Sequence, residues 1–466
     1  MIAIHSFKDK KIALFGLGGS GIATARALIA GGADIIAWDD NKESVEKAKA
    51  EHIHCDNLTD YDFTGFSALI LAPGVPLTHP EPHWTVKKAR QASIEVIGDI
   101  ELFIRERNAY LANNKLSEQD VPFIAITGTN GKSTTTALIN HLLQWAGKDT
   151  QMGGNIGTAI LSLEAFQPNR FYVIECSSFQ IDLTPSMKPT IGVLLNITPD
   201  HIDRHGSFSA YSAIKERLVA NSTLALIGID DDVSRSIYER LIEQHKECYA
   251  VAKDRAILNG YYSLDSDLYY AQSGESKKIA SLKGIASLRG SHNAQNALMA
   301  LGVLRGLGLS LENINEGLKS FDGLEHRMQQ VRQIGHILFI NDSKATNAEA
   351  SAPALASFKH IYWIAGGLAK EGGIESLKGF FPKIKKAYLI GDAAQQFAQT
   401  IGNALPVSMS GTLGKALQDA YEDAKCDKSE EVAIVLSPAC ASYDQFPNYI
   451  MRGHTFVELV AKLPDC

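Results

Sequence analysis

The chain has 466 residues, of which 45% are hydrophobic and 21% charged, and its formal net charge is −7 at pH 7. This composition is typical of a folded globular protein, and the negative charge excludes a general basic surface for nucleic acid or an anionic membrane. The length predicts roughly three domains.

Cysteine usage and hydropathy predict a cytoplasmic protein. The cysteines form no C-x-x-C pair, which is typical of reduced thiols. The N-terminal residues lack the order of a signal peptide. The longest charge-poor stretch, 12–38, is interrupted by Arg26 and Asp34, so we expect no membrane span. The cysteines are Cys55, Cys176, Cys248, Cys426, Cys440 and Cys466.

Three apolar runs, at 11–16, 34–40 and 67–74, predict the strands of a first domain. Because segments of helical length separate them, we expect a parallel sheet covered on both faces. The segment "GLGGSG" (16–21) follows the first strand, and Asp39 and Asp40 end the second, as in a dinucleotide-binding loop. This loop could bind NAD, could bind the diphosphate of a nucleotide sugar, or could be a tight turn without a ligand.

A polar segment at 112–122 separates the first domain from a second glycine-rich loop, "ITGTNGKST" (126–134). The loop follows a predicted strand at 122–128 and precedes a predicted helix that starts near Ser133. The pattern G-x-x-x-x-G-K-[ST] would need glycine at 126, where Ile126 stands, so the phosphate loop is a shortened one. Lys132 would reach the outer phosphates, and the Ser133 or Thr134 hydroxyl would bind Mg²⁺.

Further polar residues follow the next predicted strands, at 171–178 and 191–198. Glu175 ends the first of these and could hold Mg²⁺ or be a solvated acid. The loop after the second carries His201 and His205, but no third ligand stands at a zinc spacing. The following helix brings Lys215 near the predicted phosphate site, and the alternative is a surface lysine.

Antiparallel strands are predicted within 250–290, followed by a helix at about 292–307 and a linker at 321–331. Apolar runs at 336–343, 361–367, 386–391 and 432–438 then predict a third α/β domain. Polar clusters at 341–347, 366–373 and 437–449 follow three of these strands. They could hold a small carboxylate substrate or could be ordinary loops.

The predicted fold class is therefore α/β with three domains. The N-terminal domain (1–115) is expected to be Rossmann-like, with a loop that could hold a diphosphate. The central domain (116–322) is expected to be P-loop ATPase-like with a small extra antiparallel sheet, and to hold nucleotide phosphates. The C-terminal domain (323–466) is expected to be Rossmann-like, with loops that could hold a small carboxylate substrate.

From "GLGGSG" to "SPACASYDQF", essentially over its whole length, the chain resembles the Mur ligase family. The shared motifs are the phosphate loop, "GGNIG", "ECSSFQ", "DHIDRHG", the HN of "GSHNAQNAL" and the HR of "GLEHRM". The motifs "NDSKATN" and "SPACASYDQF" are more specific to the members that add D-glutamate. The resemblance implies ATP-dependent ligation of D-glutamate to UDP-N-acetylmuramoyl-L-alanine through an acyl phosphate, in cytoplasmic peptidoglycan precursor synthesis, with ATP and Mg²⁺ as cofactors.

The resemblance also assigns roles to individual residues. ATP would be bound by Gly128, Thr129, Asn130, Gly131, Lys132, Ser133, Thr134, Asn293, Arg327 and Asp342. A first Mg²⁺ would be held by Ser133 with Glu175, and a second by His201 together with Lys215, which is carbamylated in the family. The UDP substrate would be bound by Gly18, Gly19, Ser20, Asp39, Asp40, Gly74 and Asn155. D-Glutamate would be bound by Lys344, Thr346, Lys370, Ser442 and Tyr449. The catalytic residues would be Lys132, His201, Lys215 and Arg327.

The chain departs from the best-known members of the family at a few of these positions. Ala72 stands where a serine precedes Pro-Gly, so one hydroxyl contact to the nucleotide is absent. Asn41 and Lys42 follow the acidic pair where an arginine is often expected, and Tyr449 replaces a phenylalanine.

Other functions are compatible with parts of the sequence. A different amide ligase of the same family, or a folylpolyglutamate synthase, would share the phosphate loop, but "NDSKATN" and "SPACASYDQF" speak against these. An NAD-dependent dehydrogenase or a non-catalytic nucleotide-sugar binding protein would use "GLGGSG". For the ligase we expect a monomer with no nucleic-acid partner and no membrane insertion.

Overall fold

The computed structural model of the chain describes residues 1–369 and 372–464. They form two compact units, the first made of Met1–Ser281 with Gln295–Gly317 and the second of Leu282–Ala294 with Leu318–Cys466. Three sheets of four, nine and six strands are present, two in the first unit and one in the second. The predicted α/β fold class is confirmed.

The first sheet is parallel, with the strand order β2-β1-β3-β4. Its three predicted strands are confirmed, and the short β4 was not predicted. The elements in chain order are β1 (Lys11–Phe15), α1 (Gly19–Ala30), β2 (Asp34–Trp38), α2 (Lys42–Ala50), β3 (Ala68–Leu71), α3 (Trp84–Gln91), β4 (Glu95–Ile97) and α4 (Asp99–Asn114). Because α4 continues to Asn114, the predicted polar boundary segment begins inside a helix.

The central sheet has the strand order β13-β12-β11-β10-β9-β8-β5-β7-β6, in which only β11, β12 and β13 pair antiparallel. The predicted antiparallel strands are thus present, and they extend the edge of the central sheet. The elements are β5 (Phe123–Thr127), α5 (Lys132–Trp145), β6 (Asp149–Gly154), β7 (Arg170–Glu175), α6 (Ser178–Asp182), β8 (Ile191–Leu194), α7 (Ile202–His205), α8 (Phe208–Ala220), β9 (Leu224–Gly228), α9 (Asp232–Glu243), β10 (Cys248–Ala252), β11 (Gly260–Leu264), β12 (Asp267–Gln272) and β13 (Glu275–Ser281).

The third sheet has the order β14-β15-β19-β16-β17-β18, parallel except for the β14–β15 pair. Its four predicted strands are confirmed, whereas the predicted linker at 321–331 contains the start of β14. The remaining elements are α10 (Ser291–Gly306), α11 (Ile314–Lys319), β14 (Gln329–Ile334), β15 (Ile337–Asn341), α12 (Ala348–Ser357), β16 (Ile361–Gly366), β17 (Ile384–Ile390), α13 (Ala394–Ile401), β18 (Val407–Gly411), α14 (Leu413–Lys425), β19 (Val432–Leu436) and α15 (Tyr449–Ala461).

Aromatic packing joins the first two sheets into one unit. Phe103, on α4, packs its ring 5.3 Å from that of Phe123 and 5.2 Å from that of Tyr172, both on the central sheet. A single buried cluster includes residues of both sheets. The predicted domain limits at 115 and 322 stay predictions. Short 3-10 helices occur at His5–Phe7, Leu58–Asp60, Phe63–Gly65, Ile160–Ser162, Ala286–Leu288 and Glu375–Lys383.

Helix length bears on the membrane prediction. Within residues 1–369 and 372–464, every helix is too short or too polar to cross a bilayer.

Candidate active site

The phosphate loop lies between β5 and α5, at the carboxyl end of β5. This strand is in the interior of the central sheet, with β7 and β8 as its neighbours. Ile126 is a buried strand residue that pairs with Glu175 and Val193, so the strand continues through the position where a longer loop would have glycine. Gly131 has φ +86° and precedes α5, and an added Cβ would lie 2.7 Å from Asn296 Oδ1. The turn therefore requires glycine at this position.

Residues after β8 hold the phosphate loop in place. Asn196 accepts from the Thr129 amide through its carbonyl and from the Asn130 amide through Oδ1, both at 2.9 Å. The Thr129 hydroxyl also lies 3.0 Å from the Tyr211 hydroxyl on α8. These contacts use the N–H groups of Thr129 and Asn130, and they fix the shape of the loop before a phosphate arrives. Asn196 was not among the predicted residues, although a polar residue directly after a buried strand is the signal that marked Glu175.

Two lysines share one carbonyl oxygen at the base of this loop. Lys132 Nζ donates to Gly128 O at 2.8 Å, and Lys215 Nζ donates to the same oxygen at 2.9 Å. Lys215 is only 1% exposed, so it is not a surface lysine. Burial, and then the charge of Lys132, lower the pKa of Lys215 well below its ordinary value. Its amine therefore loses its proton more readily than that of an ordinary lysine, and the deprotonated amine is nucleophilic.

Glu175 presents an unpaired carboxylate oxygen beside these residues. Its Oε1 accepts from Asn155 Nδ2 at 2.7 Å, whereas its Oε2 is buried and has no hydrogen-bond partner among the described residues. Ser133, in the first turn of α5, is also buried, and Thr134 is half-buried. A buried carboxylate oxygen without a donor fits a hard divalent cation such as Mg²⁺.

His201 precedes α7 in a left-handed conformation, with φ +52°. Its side chain is 47% exposed, its Nε2 lies 3.4 Å from Asp200 Oδ2, and its ring lies 4.9 Å from that of Phe179. Burial, with further contributions from Lys132 and Lys215, lowers the pKa of His201. A neutral imidazole near the phosphate loop can bind a cation or accept a proton.

His205 belongs to the packing beneath this loop. Its ring stacks on Phe179 at 5.2 Å, and its Nε2 lies 2.9 Å from the Ser178 hydroxyl. Burial lowers the pKa of His205 to about 4. In the described part of the chain, neither His201 nor His205 belongs to a group of three metal-binding side chains.

The candidate UDP-binding residues lie at one edge of the first sheet, since β1 stands between β2 and β3. Gly18 precedes α1, and no described atom would lie within 4 Å of a Cβ added at Gly18 or Gly19. The space before the helix N-terminus is thus open, as an anion would require. Ser20 lies in the first turn of α1.

The two acidic residues after β2 contact different groups. Asp39 accepts from the Leu17 amide at 2.6 Å and from the Asn41 amide at 2.8 Å. Asp40 Oδ2 lies 3.3 Å from His83 Nε2. Asn41 itself caps α2, because its side chain accepts from the Glu43 amide at 2.9 Å. Asn41, at the position where an arginine is often expected, therefore caps the N-terminus of α2.

Two contacts connect the loop after β3 to the segment that carries His201. Arg204 Nη1 donates to Gly74 O at 2.9 Å, and the Arg204 guanidinium lies 4.7 Å above the Phe179 ring. A Cβ added at Gly206 would lie 2.5 Å from the His79 ring. Asn155, predicted to bind the same substrate, lies instead beside Glu175.

The other candidate ATP residues, Asn293, Arg327 and Asp342, lie in the second unit. Asp342, at the end of β15, accepts from the Met328 amide at 3.1 Å and from the Ser437 hydroxyl at 2.7 Å. Burial raises the pKa of Asp342 to about 7. Asn293 Nδ2 donates to Arg289 O at 2.9 Å. Arg327 lines a cavity of about 350 Å³ in the same unit.

The candidate D-glutamate residues follow neighbouring strands, since β19 lies between β15 and β16. Lys344 Nζ lies 5.4 Å above the Tyr449 ring, and the Leu368 amide donates to Ala441 O at 2.9 Å. Thr346 and Ser442 follow β15 and β19, respectively. Lys370 lies outside the described residues. The three polar clusters thus meet at one sheet edge.

His326 lies beside this edge with Glu325 and His454, and ligand atoms of the three lie within 4.8 Å of one another. Asn341 Nδ2 lies 3.0 Å from His326 Nδ1 and also faces two carbonyl oxygens, which fixes the amide orientation. With the ring proton on Nε2, the Nδ1 lone pair can accept from this amide. In that tautomer Nε2 offers no lone pair to a metal ion.

Comparison with known proteins gives consistent relatives. The model of the Mur ligase middle domain matches residues 126–304. UDP-N-acetylmuramoylalanine--D-glutamate ligases of Bartonella henselae and Brucella abortus are 58% and 57% identical to this chain. Each alignment covers 100% of this chain, with 100% and 98% of the respective relative. The ligase of that name from Mesorhizobium japonicum is 58% identical over 98% of this chain and 96% of its own.

Solved structures agree in fold. MurF from Acinetobacter baumannii superposes with a TM-score of 0.58, at 16% identity, over 92% of this chain and 91% of its own. UDP-N-acetylmuramate-alanine ligase MurC from Thermotoga maritima gives a TM-score of 0.56, at 17% identity, over 97% of this chain and 99% of its own. At these identities the likeness shows the fold alone.

Proposed function

Since the chain belongs to the family of UDP-N-acetylmuramoylalanine--D-glutamate ligases, we propose that it joins D-glutamate to UDP-N-acetylmuramoyl-L-alanine at the expense of ATP, in peptidoglycan precursor synthesis. One observation carries this conclusion: 58% identity to a ligase of that name along the whole of both chains. The phosphate loop with its two lysines and the unpaired Glu175 oxygen supports ATP as the activating substrate.

In the first proposed step, a terminal carboxylate oxygen of the UDP substrate attacks the γ-phosphorus of ATP. The bond from that phosphorus to the β,γ-bridging oxygen breaks, and ADP leaves an acyl phosphate behind. Lys132 would exchange its loop carbonyls for phosphate oxygens, and the fixed N–H groups of the loop would hold the nucleotide. Positioning and charge neutralisation then account for catalysis.

Ser133, Glu175, His201 and Lys215 are the residues that would hold Mg²⁺. The bound ion would neutralise charge on the transferring phosphoryl group. Lys215 fits this role as a carbamate: its neutral amine adds to CO₂, a proton is released, and an anionic oxygen ligand results. The negative charge of the carbamate would also be attracted by the neighbouring Lys132 ammonium.

In the second proposed step, the D-glutamate amine attacks the acyl carbon, and the tetrahedral intermediate expels phosphate. The attacking amine must lose a proton, and His201 could accept it, although its first assignment is to the metal. Lys344, Thr346, Lys370, Ser442 and Tyr449 are the proposed amino-acid residues. Asn293, Arg327 and Asp342 are the proposed ATP residues of the second unit.

The remaining assignments follow from the same family. Gly18, Gly19, Ser20, Asp39, Asp40, Gly74 and Asn155 are proposed to bind the UDP substrate, and the open space at the start of α1 supports a diphosphate there. We also propose three domains with limits at 115 and 322, a cytoplasmic location and a monomeric state.

The test is phosphate release from ATP in the presence of UDP-N-acetylmuramoyl-L-alanine, with D-glutamate compared against L-glutamate and L-alanine. We expect release, together with the ligated product by mass spectrometry, only with D-glutamate. Equal release with L-alanine would refute the substrate assignment. A change in nicotinamide absorbance on adding NAD and substrate would instead favour a dehydrogenase.

A further inference from the structure

Arg452, on α15, is a buried arginine at the sheet edge where the three polar clusters of the second unit meet. It is 1% exposed, and burial lowers its pKa to about 10. No described carboxylate forms an ion pair with its guanidinium, and Asp444 and Asp342 act on its charge only from a distance. A buried charge without an ion-pair partner is destabilising, and such groups are therefore expected to have a function.

The guanidinium connects the loops after β15 and β19. Its Nε donates to the Ser343 hydroxyl at 3.0 Å, and its Nη2 donates to Ser343 O at 2.8 Å and Cys440 O at 3.0 Å. Ser343 directly precedes Lys344, and Cys440 lies two residues before Ser442. The geometry of both candidate amino-acid loops thus depends on one side chain.

The third polar cluster lies against the remaining nitrogen. Arg452 Nη1 is buried and has no hydrogen-bond partner among the described residues. A Cβ added at Gly367, which follows β16, would lie 3.3 Å from Nη1. Since Nη1 is buried, the arginine does not present this nitrogen to solvent, and it acts on a ligand through the loops and through its charge.

We propose that Arg452 is a positioning residue of the amino-acid site, which fixes the loops after β15 and β19 and provides a positive charge without an ion-pair partner that favours an amino acid with two carboxylates. This inference rests on the proposed function, because it takes D-glutamate as the ligand. Two residues of chain span at most about 7 Å, so the charge lies within about 10 Å of Ser442. At an effective dielectric constant of about 20, a unit charge at that distance changes an affinity roughly tenfold to thirtyfold.

The test compares Arg452→Gln and Arg452→Lys with the wild type. We expect Arg452→Gln to raise the KM for D-glutamate roughly tenfold to thirtyfold and to reduce the preference for D-glutamate over the neutral D-glutamine. The KM values for ATP and for the UDP substrate should not change. Added NaCl should raise the KM for D-glutamate less in Arg452→Gln than in the wild type, because the screened charge is missing.

Arg332 provides a matched control in the same unit. It donates to Val460 O at 3.0 Å and Leu463 O at 2.8 Å, near the other end of α15. Eight helical residues separate Arg452 from Val460, or about 12 Å. Arg332→Gln should therefore lower the thermal midpoint and leave the KM for D-glutamate unchanged.

An unchanged KM for D-glutamate in Arg452→Gln would overturn the proposal, and so would equal rises in all three KM values, which indicate a purely structural role. If Arg452→Gln does not fold, Arg452→Lys provides the test. Lysine keeps the charge but cannot make the guanidinium's hydrogen bonds to both loops. Selectivity over D-glutamine should therefore persist while the KM for D-glutamate rises. An unchanged KM in that variant would overturn the proposal. A wild type that does not ligate D-glutamate would refute the proposed function itself.

Discussion

Replacement of Lys215 by methionine should make the protein inactive and also more stable. The lysine is buried, and its amine donates to Thr127 Oγ1 at 3.1 Å and to Gly128 O at 2.9 Å. Both partners keep a second hydrogen bond in the variant. Thr127 Oγ1 still donates to Cys176 O at 2.9 Å, and Gly128 O still accepts from Lys132 at 2.8 Å.

The substitution has a small destabilising effect and a larger stabilising one. Because no partner is left unsatisfied, the lost hydrogen bonds destabilise the variant by at most about 1 kcal/mol. Each tenfold loss of proton affinity that burial imposes on an amine lowers the stability of the protonated folded state by about 1.4 kcal/mol, and an apolar side chain of similar volume does not carry this cost. The free energy of unfolding should therefore rise by about 1–3 kcal/mol, while the ligand of the metal is lost.

The assay is urea unfolding in buffer depleted of CO₂, so that the wild type carries the free amine. Since the folded pKa of Lys215 lies below that of the unfolded chain, the unfolded chain binds the extra proton between the two values, and wild-type stability rises with pH in this range. The advantage of the variant should accordingly shrink as the pH approaches the ordinary lysine pKa. Bicarbonate should stabilise the wild type and leave the variant unaffected.

Lys188 provides the control, because its side chain is 62% exposed and paired with Glu118. Lys188→Met should change the free energy of unfolding by less than about 0.5 kcal/mol. A Lys215→Met variant that is less stable than the wild type without CO₂ would refute the reasoning on burial. A variant that retains full activity would refute the carbamate.

Three further substitutions test other parts of the site. Lys132→Ala should abolish ATP-dependent phosphate release and ligation with an unchanged urea midpoint, because Lys132 donates to carbonyls of its own loop; retained turnover would contradict the phosphate-loop assignment. Asn155→Ala should raise the Mg²⁺ concentration for half-maximal activity roughly tenfold, since it releases Glu175. Asn140, on α5, accepts from the Thr150 hydroxyl instead, and an equal shift in Asn140→Ala would argue against a local cause. The folded state holds a proton on Asp342 up to about pH 7, so stability should fall as the pH rises from the ordinary carboxyl range to 7; Asp342→Asn should flatten this fall in urea unfolding at pH 5 and pH 8.

The fold follows from sequence patterns mainly where strands are buried on both faces. Four strands that were not predicted, β4, β6, β14 and β18, lie at sheet edges. Sequences such as "QQVRQI" in β14 carry polar residues because an edge strand is partly solvated, and this hides the apolar run. The strands β9 and β10 were also not predicted, but for a different reason. Their sequences, "LALIG" and "CYAVA", are as apolar as those of the predicted strands, so the signal was present and was missed.

The site could be predicted where a motif joins a strand end to a helix start, as at Lys132. It could not be predicted where residues act through contacts distant in sequence. Asn196 holds the phosphate loop from 66 residues away, and Arg452 reaches Ser343 from 109 residues away. Arginine in the first turn of a helix is ordinarily interpreted as a surface residue, and the burial of Arg452 is visible only in three dimensions.

The contact between His79 and Gly206 limits how freely parts of this protein can be recombined. Gly206 has φ +79°, and any side chain there would overlap the His79 ring from the first sheet's loop. In the same place, Arg204 depends on a carbonyl whose position is set by the Pro73–Gly74 turn. A chimaera that takes residues 1–115 from a relative therefore replaces one partner in each of these two contacts. It should function only when the residues that the donor supplies at 74 and 79 are compatible with Arg204 and Gly206.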